Sequence, residues 1–133
     1  MIAVDTNVLL RYVLDDDGRR AQAARWLIDE QCSPENPAFV HEVVMAGLVW
    51  VLQRRGKEAR GQIARTLRDV LDNAHLGFRD FAALAAATDA FEEGPADLAD
   101  YLIAAAAQAV GAATTYTFDR DAARAPACTL LEA

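Results

Sequence analysis

Residues 1–14 read MIAVDTNVLLRYVL. Ile2, Ala3 and Val4 form an apolar run short enough for a buried strand, and Asp5 interrupts it. Beyond the acid, Val8, Leu9, Tyr12 and Val13 recur at helical spacing and share one side. The stretch therefore reads strand, acid, helix. That order puts Asp5 at the carboxyl end of a first strand, the edge where open α/β sheets form their ligand sites. Asp5 is equally suited to cap the helix that follows it, because its carboxylate can accept from a first-turn amide.

Working outward, the same alternation continues. Asp15, Asp16, Asp17 and Gly18 break the first helix and cap the next. The segment RRAQAARWLIDEQ (19–31) is amphipathic, with Ala23, Trp26 and Leu27 on its apolar side. SPENP is a turn and AFV a second short strand. A helix is expected over 42–55, closed by Gly56 in a C-cap role, and another over 57–71 with Ile63, Leu67, Val70 and Leu71 inward. HLGF reads as a third strand, and DFAALAAATDAFEE as a helix started by Asp80. After Gly94-Pro95, residues 97–110 form an alanine-rich helix that is apolar on most sides and therefore expected to pack deeply. ATTYTF is β-prone, and CTLL supplies a last strand. Short strands alternating with helices predict one α/β domain over 1–133 with a mainly parallel sheet.

The 133 residues suit a single core, and 53% hydrophobic with 25% charged residues is the balance of a folded chain. No apolar run reaches the ~20 residues of a membrane span, and the first residues lack the basic flank of a secretory signal. Cys32 and Cys128 lack metal-site spacing and read as two buried thiols of a reducing cytoplasm. The net charge of −7 argues against broad nonspecific nucleic-acid binding, but a metal-binding acid cluster would itself supply several of those charges. Arg54, Arg55, Lys57, Arg60, Arg65 and Arg68 crowd one segment, either as a solvated helical face or as a surface for backbone phosphates.

Besides Asp5, acids at the boundaries of apolar elements stand out. Asp97 and Asp100 are three apart and share a face in the first turn of the alanine-rich helix. The helix macrodipole alone favours negative charge there. Asp119 follows TYTF at the end of a strand, with Asp121 two residues on, and an Asp-rich turn would give the same pattern. Taken together, Asp5, Asp100 and Asp119 are expected to converge at one edge of the sheet. Converging carboxylates repel unless a cation neutralises them. Hard oxygen ligands suit Mg²⁺ or Mn²⁺, which can activate water and stabilise a phosphoryl transition state. Metal-assisted phosphodiester hydrolysis is the chemistry this set points to. His41 and His75 are lone histidines, the one serine, Ser33, lies in a turn, and there is no Gly-rich phosphate loop.

The motifs AVDTNVLLRYVLDD, HEVVMAGLVWVLQRRG, ADLADYLIAAAAQAVGA and TYTFDRDA, in that order, resemble the four motifs of the PIN-domain family, in particular its VapC toxins. The resemblance covers about 1–123. It implies a three-layer α/β/α sandwich around a parallel sheet, and a Mg²⁺- or Mn²⁺-dependent endoribonuclease held inactive by a VapB-like antitoxin. It also implies a homodimer. By motif, Asp5, Asp100 and Asp119 match the catalytic, metal-site acids, and Asp97 and Asp121 auxiliary acids. Thr6, Asn7 and Thr117 match positions that orient those carboxylates. Arg11 is placed to meet RNA phosphate or an antitoxin carboxylate, or is simply an exposed helix arginine.

One position departs from the pattern. The family's second motif carries a glutamate before LVWVL, where this chain has Gly47. Glu42, five positions earlier, lies about 140° around the helix axis and faces elsewhere. Glycine inside a helix costs about 1 kcal/mol relative to alanine, so Gly47 needs a reason. It is either the place of a lost catalytic acid or a concession to close packing. The first predicts an attenuated ribonuclease; the alternative function is a non-catalytic antitoxin-binding module. A receiver-like or haloacid-dehalogenase-like phosphatase is disfavoured, because Asn7 replaces that motif's second Asp and the one lysine, Lys57, is not late in the chain.

Overall fold

The computed structural model describes every residue of 1–133 except Asp15, Asp17 and Lys57. The capping role expected of Asp15 and Asp17, and the helix start expected at Lys57, lie outside the described residues. The chain folds as two compact units, Met1–Phe81 and Ala82–Ala133. Both are mixed α/β with parallel strands. No helix among the described residues is long and apolar enough to cross a membrane.

The first unit contains β1 (Ile2–Ala3), α1 (Thr6–Val13), α2 (Arg19–Arg25), a π-helical segment (Trp26–Gln31), β2 (Ala38–Phe39), α3 (Glu42–Arg54), α4 (Arg60–Asp72) and β3 (Leu76–Gly77). Its strands lie in the order β1-β2-β3, all parallel, with Ile2 opposite Ala38 and Ala38 opposite Leu76. Parallel neighbours require crossover connections, and the helix pairs supply them. The ladder runs past the strand ends: Val4 N donates to Phe39 O at 3.1 Å, and Val40 N to Gly77 O at 2.8 Å. Leu9, Ile28, Met45, Leu48, Leu52, Ile63 and Leu67 are each no more than 1% exposed. Burying one such side chain contributes about 1.5–3 kcal/mol, so this apolar set is what holds the helices to the sheet.

Two expectations need correction here. The buried side of 19–31 is Ala21, Ala24 and Ile28, while Trp26 is 56% exposed and Ala23 is exposed too. The small alanines let α2 approach α1 closely, and the π-helical segment shifts the side-chain period from Trp26 onward. In β1 only the flanking Val4 is buried; Ile2 is 42% exposed. Gly18, the last residue of the run expected to cap α2, is its N-cap, and it makes no side-chain cap hydrogen bond. By contrast α4 buries the expected Ile63, Leu67, Val70 and Leu71, and Gly56 closes α3 with φ +70°. That left-handed angle is one glycine adopts without steric cost.

The second unit contains the body of α5 (Phe81–Glu93), then α6 (Leu98–Ala109), β4 (Thr115–Thr117), a 3₁₀ turn (Ala122–Arg124) and β5 (Cys128–Leu130). β4 and β5 pair in parallel, with Thr115 opposite Cys128 and Thr117 opposite Leu130. Leu84, Phe91 and Leu98 are fully buried. The deep packing expected of α6 is not found. Leu98 and Ala104 are its buried residues, and Ile103 is 57% exposed. A helix made apolar mostly by alanine gains hydropathy without gaining a bulky face to bury, so apolarity alone misjudged its depth.

Candidate functional site

In the first unit the site residues gather where β1 turns into α1. Asp5 is exposed and caps α1, its Oδ1 accepting from Val8 N at 3.1 Å. The carboxylate thus has a structural task at the strand's carboxyl end, whatever else it does. Asn7 and Arg11 follow along α1. With Asp5, Val8, Arg20, Ala23 and Leu27 they line a groove of about 460 Å³ between α1 and α2. Ala23 and Leu27, expected in the core, are part of this groove wall. Arg11 also reaches Asp16, with Nη1 3.4 Å from Oδ2. Its side chain stays 40% exposed, so this ion pair adds little stability and leaves the guanidinium accessible.

Gly47 has a packing reason. A Cβ built there would stand 2.7 Å from Thr6 Oγ1 and 3.2 Å from Thr6 Cγ2. Contacts that short require the threonine to turn or α1 to shift. Thr6, expected to orient a carboxylate, therefore packs directly on the backbone of α3. Glu42, the acid in that helix's first turn, is held by Arg79 through Nη2–Oε2 at 2.9 Å and Nε–Oε1 at 3.4 Å. That bidentate pairing occupies its carboxylate, in keeping with the angular argument that it faces elsewhere.

The second unit brings three of the other acids within electrostatic reach. Asp97 is the N-cap of α6, and Asp100 Oδ2 accepts from Asp97 N at 3.0 Å. Burial pushes the Asp100 carboxyl above its ordinary range, and the charges of Asp97 and Asp119 push it further, against the opposing hydrogen bond from Asp97. At the end of β4, Thr117 Oγ1 accepts from Asp119 N at 3.0 Å. Asp119 Oδ1 in turn accepts from Asp121 N at 2.8 Å and Ala122 N at 3.2 Å. These bonds fold the TFDRD turn so that Asp119 is held on both sides. Asp121 contributes its amide to that turn.

Sequence reasoning set Cys128 aside as a buried thiol; Cys32 is buried, but Cys128 is half-buried. It begins β5, and the charge of Asp100, after burial, raises its thiol above the ordinary value. Only the β4–β5 pairing brings it to the acids; nothing in its sequence neighbourhood signals this.

No group of three or more His, Cys, Asp or Glu side chains among the described residues is disposed to hold a metal ion. The donor chemistry nevertheless fits a hard divalent cation. Asp100 and Asp119 are oxygen donors that repel one another, and Mg²⁺ commonly takes only one or two carboxylates while keeping several waters.

The parallel-stranded α/β fold, with acids at its strand ends and helix starts, is that of a PIN-like α/β domain. The sequence model of the PIN domain matches residues 2–127, and the chain belongs to the PIN-domain family. PIN domains are generally metal-dependent nucleases. Comparisons with curated proteins and with solved structures returned no match.

Proposed function

We propose that this chain is a VapC-like toxin, a Mg²⁺- or Mn²⁺-dependent endoribonuclease that a VapB-like antitoxin inhibits, and that Gly47 attenuates it. The observation that supports this most directly is the placement of Asp100 within the electrostatic reach of Asp97 and Asp119 in a family of nucleases. Asp100 and Asp119 are the residues that would hold the ion, with Asp97 and Asp121 as auxiliaries; the motif resemblance alone assigns Asp5 to the same set. When bound, the ion supplies water activation and stabilisation of phosphoryl charge. The amides of Asp121 and Ala122 fix the Asp119 carboxylate in one direction, and Thr117 holds the Asp119 backbone amide, so little reorganisation is needed at the moment of reaction. The α1–α2 groove, apolar along its wall and carrying Arg11 and Arg20, suits an amphipathic antitoxin segment with an acidic residue. The working protein is taken as one cytoplasmic PIN-like domain that dimerises.

The second reading, a non-catalytic antitoxin-binding module, draws support from the contact between Gly47 and Thr6. It lets the helices close over the place where the family carries an acid. Cleavage of structured RNA with Mg²⁺ or Mn²⁺ separates the two. The native chain, Gly47→Glu, and Gly47→Glu with Thr6→Ser are compared, with Asp100→Ala as the contamination control. Cutting gained with the glutamate identifies a lost catalytic acid. Equal cutting by the native chain shows that the remaining acids suffice. Silence from all variants, with retained binding of a basic antitoxin, favours the module.

A further inference from the structure

The end of α3 has no part in the site above, yet it combines two features that nucleic-acid surfaces use. Trp50 is 58% exposed, unusual for the bulkiest apolar side chain of a helix whose other face is the core. The guanidinium of Arg54, one turn on, lies over its ring at 4.4 Å from the centroid. One face of the indole thus carries a positive charge, held there by cation–π attraction that an incoming aromatic base could replace. Arg55 follows at the helix C-cap and is exposed. This happens in a chain of net charge −7, where Arg54, Arg55, Lys57, Arg60, Arg65 and Arg68 put six of the thirteen basic residues between positions 54 and 68. A concentration of positive charge on an acidic protein selects a polyanion, and an exposed tryptophan beside it selects one with flat, apolar bases.

We propose that Trp50, Arg54 and Arg55 form a contact site for single-stranded RNA, a base stacking on the indole in place of the Arg54 guanidinium, which swings off to meet the flanking phosphates together with Arg55. Stacking of this kind tolerates any base, and the arginine contacts are electrostatic, so the site adds affinity and directs a strand without reading its sequence. The inference rests on the ribonuclease reading and deepens it, by giving the substrate a second point of attachment remote in sequence from every candidate acid.

The test uses the full chain with Trp26→Phe, which leaves Trp50 as the sole tryptophan, in EDTA so that no cleavage intervenes. A short oligouridylate is titrated against Trp50 fluorescence at several salt concentrations. Saturable quenching that weakens with salt is expected. On the native background, followed by gel shift, Trp50→Ala is expected to weaken binding about five-fold or more, and Trp50→Phe to retain most of it. Removal of Arg54 or Arg55 is expected to flatten the salt dependence by about 0.7 per lost phosphate contact. RNA that shifts the protein without quenching Trp50, and with equal affinity for Trp50→Ala, overturns the proposal. So does failure to bind RNA together with self-association, seen by light scattering, that Trp50→Ala abolishes; exposed Val43, two turns earlier on α3, would then join Trp50 in a protein interface. If Trp50 is quenched but even Gly47→Glu cuts no RNA, the contact site stands and the ribonuclease reading falls.

Discussion

At the scale of single residues, Gly47 and Asp100 carry the most consequence. Gly47→Ala gains about 1 kcal/mol of helix propensity but sets a methyl 2.7 Å from Thr6 Oγ1. Overpacking typically costs about 1–3 kcal/mol, so the contact is expected to win and the variant to lose stability in urea unfolding. Thr6→Ala combined with Gly47→Ala should recover the loss, giving a coupling a double-mutant cycle can read. Asp100 titrates in the opposite sense to a salt-bridged acid. Its folded carboxyl is raised, first by burial, so the native state disfavours its ionised form. The resulting penalty is absent below the ordinary value of 3.8 and complete once pH has passed the raised folded value. Asp100→Asn should therefore melt higher than the native chain at neutral pH, and the difference should vanish as pH is lowered toward 3.8. A constant difference at all pH values would show that the carboxyl is not raised.

At the scale of elements, the α2 region is the informative one. Its hydrophobic residues supply two candidate faces, and periodicity chose Ala23, Trp26 and Leu27, whereas the packed face is Ala21, Ala24 and Ile28. Ile28→Ala should cost about 2–5 kcal/mol, as buried large-to-small changes do, and Trp26→Ala much less. Thermal or urea unfolding of the two variants decides it; equal losses would restore the periodicity reading. The same region is tied to its neighbours by Tyr12, whose hydroxyl donates to Asp29 at 2.6 Å and accepts from Asn73 at 2.9 Å. Three elements thus meet at one hydroxyl, a link between positions 12, 29 and 73 that no local pattern announces.

At the scale of the whole molecule, a divalent ion is expected to relieve the repulsion that Asp97 and Asp119 exert on Asp100. Adding Mn²⁺ or Mg²⁺ at neutral pH should raise Tm by linkage, and Asp100→Asn with Asp119→Asn should abolish that rise. An unchanged Tm across millimolar additions would count against the metal site. Much of the protein was already determined by sequence. Apolar triplets between amphipathic helices dictate parallel strands with helical crossovers, because hydrophobic period and length are local properties. Asp5, Asp97 and Asp119 could be picked out for a like reason: an acid that ends a strand or starts a helix is visible from its neighbours alone. Tertiary structure decided what depends on distance. It set Thr6 against Gly47, where sequence offered a missing acid or a tight contact and only the approach of α1 to α3 exposes the contact. It brought Cys128 under the charge of Asp100 through strand pairing, and it left Ile103 and Trp50 exposed on helices that composition alone would bury. Burial and electrostatic coupling are sums over neighbours in space, and those neighbours exist only once the chain has folded.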